Sequence, residues 1–119
     1  MTRFIFGLPL ASVTFAAAIV TQEVQGVVGP YAVRIHELNV GSQSVRLTVR
    51  GSSLSDIDCW VYDSADRILA FATDDSSDCV LDVPGGGRRM VWIVNLGGRT
   101  NRYRLRQVIR VTVRAKSPT

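Results

Sequence analysis

The sequence is poor in the residues that enzymes use most often for catalysis. Among its 119 residues there is one histidine, His36, and only two cysteines. A nucleophilic triad needs a base beside its nucleophile, and no serine lies in a G-x-S-x-G turn. Paired carboxylates are available for acid–base chemistry, but the aspartates fall mainly at the predicted strand ends and turns. The sequence therefore predicts a protein without enzymatic activity.

Uninterrupted helical periodicity is also missing after the first 20 residues. Clusters of aspartate, glycine and serine recur instead at a spacing of about ten residues, which is typical of an all-β sandwich or barrel. Apolar and polar residues alternate most clearly in VRLTVR, where Val45, Leu47 and Val49 share one face. This pattern predicts strands at residues 31–38, 45–50, 57–62, 68–73, 79–83, 89–96 and 102–114. The strand at 89–96 is apolar on both faces and is therefore predicted to be central.

Acidic residues are absent from the chain after Asp82. From Arg88 onward there are eight arginines, one lysine and no acid, whereas residues 56–82 hold eight aspartates and one arginine. The net charge of +4 thus conceals an acidic middle and a basic end. Because these segments can lie side by side in a sandwich, the pI of about 9.7 is poor evidence for a nucleic-acid partner, and none is predicted.

One long run lacks charge of either sign, at residues 4–20 near the N-terminus. It follows Arg3 and contains three consecutive small residues, Ala16 to Ala18, which is the pattern of a secretory signal peptide. The alternative is an uncleaved membrane anchor, for which the run is short and no basic stop-transfer cluster follows. We predict a signal peptide at 1–18, a linker or frayed first strand at 19–30, the domain at 31–114 and a tail at 115–119. A membrane partner is expected only if the segment is not cleaved.

Export makes a disulfide between Cys59 and Cys79 the expected state of the cysteines. A structural zinc site needs four ligands, usually cysteine or histidine. The sequence offers only these two cysteines and His36. The aspartates are a separate question, because carboxylates bind calcium in extracellular modules. The candidates do not follow the EF-hand pattern, and the rival interpretation is that they cap turns. These calcium candidates are Asp56, Asp58, Asp63, Asp66, Asp74, Asp75 and Asp78.

Two further groups have a functional and a structural interpretation. Trp60, Tyr62 and Trp92 can form a stacking platform for sugars, although core packing in a sandwich is favoured for such residues. Five arginines share one face of the last predicted strand, which suits an anionic polymer or a membrane surface. The favoured alternative is the solvated face of an edge strand, where charges prevent pairing with other chains. These arginines are Arg102, Arg104, Arg106, Arg110 and Arg114.

A longer pattern resembles bacterial pre-peptidase C-terminal domains. It has an Asp-x-Asp before a strand at Asp56 and Asp58, an aromatic strand ending in aspartate at 60–63, and a hairpin strand at 68–74. A Pro/Gly turn at 84–87, a strand ending at Asn95, a Gly-Gly pair at 97–98 and a closing Y-x-L at 103–105 follow. Together with residues 33–51, the likeness covers about residues 31–107. The cysteine pair resembles that of a subset of these domains.

This resemblance implies a small jelly-roll-like antiparallel β-sandwich that is periplasmic or secreted. Such domains are non-catalytic accessories or stand-alone exported proteins, and some relatives bind calcium or extracellular polymers. We therefore expect a structural or protein-interaction module whose partner is another protein. The alternative is a carbohydrate- or polymer-binding module, with calcium as the candidate cofactor.

Overall fold

Eight strands make up the regular structure among the described residues of this computed structural model. It describes residues 14–52 and 55–115, with side chains for 21–52 and 55–109. The strands are β1 (Thr14–Val28), β2 (Val33–Val40), β3 (Val45–Gly51), β4 (Ile57–Tyr62), β5 (Ile68–Ala72), β6 (Asp78–Val83), β7 (Gly87–Asn95) and β8 (Asn101–Ala115).

The strands form two four-stranded antiparallel sheets, ordered β1-β8-β3-β6 (sheet A) and β2-β7-β4-β5 (sheet B). This interleaved order is that of an eight-stranded jelly roll, so the predicted all-β jelly-roll sandwich is confirmed. Strand β7 lies between β2 and β4, which confirms its predicted central position. Within residues 14–52 and 55–115, no helix is long and apolar enough to cross a membrane.

The core forms where the alternating apolar residues of both sheets face each other. Sheet A contributes Val45, Leu47 and Val49 from β3, and sheet B contributes Ile57 and Val61 from β4, all of them buried. Burying each aliphatic side chain of this kind stabilises the folded state by about 1.5–3 kcal/mol. The period-two pattern thus predicted correctly that Val45, Leu47 and Val49 form the buried face of β3.

The two cysteines form the predicted disulfide. Cys59 lies on β4 of sheet B and Cys79 on β6 of sheet A, and both are buried in the core. The bond therefore links the two layers of the sandwich directly, in addition to the apolar packing between them.

The chain divides into two compact units. Residues 21–109 form one unit, and the described residues of the other are 14–20 on β1 and 110–115 on β8. Strand β1 occupies much of the segment for which a linker or a frayed strand was predicted. Residues 1–13 of the predicted signal peptide lie outside the described range, so the signal peptide stays a prediction.

The predicted edge position of the last strand is wrong. Strand β8 has β1 on one side and β3 on the other, because the N-terminal segment pairs with the side that was expected to be free. The arginines of β8 consequently do not protect an exposed edge in this fold.

Candidate functional site

The three aromatic candidates lie on the outward face of sheet B. Trp60 and Tyr62 alternate with the buried residues Cys59 and Val61, so their side chains point away from the core. Trp92 is directly opposite Trp60 on β7 and is 36% exposed. The expectation that these aromatic residues fill the core is therefore wrong, because smaller aliphatic residues already occupy the inward positions.

These residues belong to an apolar row that crosses all four strands of sheet B. The register pairs Ile35 with Trp92, Trp92 with Trp60, and Trp60 with Phe71. Ile35 is 48% exposed and Phe71 is 59% exposed. We call this row, together with Tyr62, the aromatic face. Sequence reasoning missed Ile35 and Phe71, because their place in the row depends on strand order and register.

The rings of the aromatic face pack mainly against one another. The centroids of Trp60 and Phe71 are 5.2 Å apart and their planes differ by 21°, which is a stacked pair. Tyr62 and Trp92 are 5.4 Å apart and tilted by 58°. Stacking covers one face of Trp60 and of Phe71, so the surface offers a broad apolar patch rather than a set of free parallel ring faces.

Further exposed apolar residues lie at the start of β2 and in the loops before β2 and after β7. Val33 and Leu96 are exposed, and Tyr31 is 77% exposed with φ of 53°. Positive φ is uncommon for an aromatic residue, and such strain persists only where the surrounding structure holds it. Here the amide of Tyr31 donates a hydrogen bond to the carbonyl of Gly97 at 3.1 Å, which ties the two loops together.

The structure divides the candidate calcium ligands into separate groups. Asp56 and Asp58 lie at the start of β4, whereas Asp63 and Asp66 lie in the turn after it. At about 3.3 Å per residue, β4 separates these two groups by roughly 20 Å. The loop between β5 and β6 carries Asp74 and Asp75 close to the start of β4, since the amide of Ile57 bonds to the carbonyl of Ser76.

Asp63 has a structural role in the β4–β5 turn. Its Oδ1 accepts hydrogen bonds from the amides of Ala65 and Arg67, both at 2.9 Å. Its Oδ2 accepts from Nε of Arg67, also at 2.9 Å. The bond from the Arg67 amide is the main reason that the pKa of Asp63 is lowered. Oδ1 of Asp74 likewise accepts a hydrogen bond from the amide of Ser76 in its own loop, at 3.1 Å. These contacts are those of turn residues.

Asp56 and Asp58 are placed differently. The Oδ1 atoms of both are buried and have no hydrogen-bond partner among the described residues. Burial raises the pKa of Asp58, and the charges of Asp56, Asp74 and Asp75 raise it further. Yet no three acidic, histidine or cysteine side chains in residues 21–52 and 55–109 are arranged to hold a metal ion. Calcium binding stays a prediction.

His36 contacts a tyrosine rather than an aspartate. Its Nε2 is 2.5 Å from Oη of Tyr103, and burial and then the charge of Arg34 lower its pKa. His36 is on β2 of sheet B and Tyr103 on β8 of sheet A, so this pair spans the sandwich. The described geometry does not place His36 beside two aspartates, which a carboxylate-assisted catalytic site would require.

The outward face of sheet A carries the arginine stripe. Arg102, Arg104 and Arg106 are exposed at alternate positions of β8, as predicted from the sequence. Arg110 and Arg114 are on the same strand, but their side chains lie outside the described range. The register adds Arg50, which lies directly opposite Arg104 on β3. The alternation in VRLTVR indicated that Arg50 points outward. The sequence could not show that Arg104 lies opposite it, because this depends on pairing between distant strands.

Comparison with known proteins gives a structural match. No family model matches the chain, and no curated protein matches it in sequence. The chain is similar in structure to PliG of Aeromonas hydrophila, a periplasmic lysozyme inhibitor of g-type lysozyme. The TM-score is 0.52 at 12% identity, and the match covers 75% of this chain and 86% of PliG. At this identity the likeness shows a shared fold. The resemblance to pre-peptidase C-terminal domains stays a prediction.

Proposed function

We propose that this chain is a non-catalytic, exported module that binds another protein through its aromatic face. The observation that supports this most strongly is the row from Ile35 through Trp92 and Trp60 to Phe71. Contiguous exposed apolar surface is costly for a soluble protein and commonly marks an interface. Tryptophan is also enriched among the residues that contribute most to protein–protein affinity.

The structural neighbour supports a protein as the partner. PliG has the same fold and, by its description, acts in the periplasm on an enzyme. The buried disulfide supports export, because such bonds persist in oxidising compartments. Restraint of an exported enzyme is consequently the first activity to test. We propose no catalytic role for the chain, because its single histidine is hydrogen-bonded to Tyr103 and lacks an acidic partner in the described structure.

A sugar-binding platform on the same residues is less well supported. Such a platform presents ring faces to the flat side of a sugar, whereas Trp60 and Phe71 stack on each other. A protein partner needs only the combined apolar surface, which the stacked pair supplies in a fixed position.

Site-specific photo-crosslinking tests the proposal, and the chain offers a matched control. Phe71 and Val80 are apolar residues of similar exposure, 59% and 60%, but they lie on the outer faces of opposite sheets. A photo-reactive phenylalanine derivative would replace each in turn in the source organism. We expect the probe at position 71 to give a crosslink to one particular protein and the probe at position 80 to give none to that protein.

The captured protein would then be purified and titrated with the chain. We expect Phe71→Ser to weaken binding at least tenfold and Val80→Ser to leave it unchanged, because loss of an interface aromatic commonly costs more than about 1.4 kcal/mol. If the partner is an enzyme, its turnover should fall on addition of the chain. Equal crosslinking from both positions, a crosslink only to a second copy of the chain, or equal affinity of both variants would refute the proposal.

A further inference from the structure

The outer face of sheet A places arginines directly opposite one another. Arg50 on β3 pairs with Arg104 on β8, so their Cβ atoms are about 4.5–5.5 Å apart. Arg102 and Arg106 flank Arg104 on the same face of β8. Like charges at opposite positions destabilise a sheet. Since β8 is an inner strand, protection of a free sheet edge does not account for the arginines on it.

Most of this charge is not neutralised within the molecule. Arg104 pairs with Glu23 at 3.0 Å, and Arg46 pairs with Asp82 at the far side of β3. Within residues 21–52 and 55–109, no acid forms an ion pair with Arg50, Arg102 or Arg106. Arg50 also lies directly opposite Asp78 on β6; the two side chains form no ion pair, but this carboxylate offsets part of the local charge. The guanidinium groups of Arg50, Arg102 and Arg106 are therefore available to an external anion.

These arginines line two adjoining clefts. The first, of about 280 Å³, is lined by Arg50, Arg102 and Arg104, with Gln25, Gly51, Ser52 and Tyr103, and none of these residues is acidic. The second, of about 230 Å³, shares Arg50 and Arg104 and adds Arg106, Thr48 and Glu23. Arg102 and Arg106 are four residues apart on one strand, which separates them by about 13 Å along the sheet.

We propose that the two clefts bind phosphate groups of one linear polymer. Three guanidinium groups around one cleft can contact the non-bridging oxygens of more than one phosphate, and the planar guanidinium fork matches phosphate bidentately. The elongated pair of clefts fits a chain rather than one isolated ion. Tyr103, the aromatic residue that lines the first cleft, is buried and presents no free ring for base stacking, so we assign a phosphate polymer without nucleobases in preference to a nucleic acid.

Calorimetric titration of the full chain with long-chain inorganic polyphosphate tests this proposal. We expect binding that weakens steeply between about 50 and about 200 mM salt, because each bound phosphate releases counterions. Orthophosphate should bind at least tenfold more weakly, since it fills one cleft. The double variant Arg50→Gln/Arg104→Gln should lose about tenfold or more in affinity for polyphosphate.

A double variant with the same change of charge serves as the control. Arg88→Gln/Arg99→Gln removes two arginines outside the clefts and should retain the affinity for polyphosphate. An equal loss of affinity in both double variants would show that binding depends only on net charge and would overturn the proposal. Equally tight binding of poly-L-glutamate, preference for a DNA oligonucleotide, or binding only to phosphatidylglycerol vesicles would overturn it in favour of another anionic partner.

Thermal unfolding separates a ligand-binding role of Arg50 from a structural one. Arg50 lies opposite Arg104 on β8 and opposite Asp78 on β6, so repulsion on one side offsets attraction on the other. We therefore expect Arg50→Gln to unfold at about the same temperature as the unmodified chain. A lower unfolding temperature would show that Arg50 stabilises the sheet and would overturn its assignment as a residue retained for ligand binding.

Discussion

Nε2 of His36 lies 2.5 Å from Oη of Tyr103, and this contact joins β2 of sheet B to β8 of sheet A. Gly26 on β1 lies close to the same hydroxyl, since a Cβ at that position would overlap the tyrosine ring. A titratable, partly buried polar contact thus bridges the two sheets, and its contribution to stability can be measured.

Acidification below the ordinary pKa of His36 should destabilise the domain. Burial, followed by the charge of Arg34, lowers its pKa in the folded state from 6.5, so the unfolded chain binds the proton more readily. The stability contributed by neutral His36 is present above pH 6.5 and is lost as the pH falls through the lowered pKa. Urea unfolding from pH 7.5 to 5 measures the slope, which His36→Gln should reduce. An unchanged slope in this variant would contradict the assignment.

Asn95 should be among the least replaceable polar residues of the domain. Its buried amide donates to the carbonyls of Gly29 at 3.0 Å and Arg99 at 2.7 Å, and its Oδ1 accepts from the amide of Gly97 at 3.0 Å. Asn95→Leu would leave these backbone groups without partners and should cost about 2–4 kcal/mol of unfolding free energy. Asn39→Leu, at an exposed position, is the control. Similar unfolding curves for the two variants would refute the role.

Asp58 and Asp63 should respond to acid in opposite directions. The raised pKa of Asp58 means that its charged form opposes folding, so its unfavourable contribution diminishes as the pH falls through that pKa. The pKa of Asp63 is lowered, so its contribution is present above pH 3.8 and is lost as the pH falls through the lowered value. At pH 7, Asp58→Asn should therefore raise the unfolding temperature and Asp63→Asn should lower it. The same sign for both would contradict these environments.

The same comparison tests the calcium prediction. If a calcium ion binds beside Asp58, calcium should raise the unfolding temperature of the unmodified chain relative to a chelator, and Asp58→Asn should remove that difference. An unchanged temperature would leave Asp56, Asp58, Asp74 and Asp75 as turn and strand-end residues.

Removal of the disulfide should cost about 3 kcal/mol of stability in the chain-entropy model, for a sequence separation of 20 residues. The double variant Cys59→Ala/Cys79→Ala, unfolded in urea without reductant, measures this change. Reduction of the unmodified chain should lower its stability by a similar amount and leave the variant unaffected. A reductant effect on the variant would show that another process is being measured.

Features that depend on local interactions were predicted from the sequence more reliably than features that depend on contacts between distant parts of the chain. Alternation within a strand is local, so it predicted that Ile57, Cys59 and Val61 share a face opposite Trp60 and Tyr62. It did not decide which face is inward for the aromatic residues, because that choice depends on how well the aliphatic face packs against the other sheet.

The strand order of sheet A was less accessible for a related reason. An uncharged apolar segment has the same composition in an exported leader and in a strand, so the pairing of β1 with β8 was not predicted. The opposition of Arg50 to Arg104 depends on a register between residues far apart in the chain. The role of Asn95 was not predicted either, since the carbonyls that it contacts lie at the end of β1, just after β1 and in the β7–β8 loop.

The back-to-back packing of sheets A and B gives the domain the geometry of a two-sided adaptor. The aromatic face and the arginine clefts point in opposite directions, separated by a core about 10 Å thick. If both proposed partners bind, occupancy of one surface leaves the other accessible, and a protein on one side would lie within a few nanometres of a polymer on the other. Because Cys59 and Cys79 connect the two layers, the disulfide would carry part of any pulling force between those two partners.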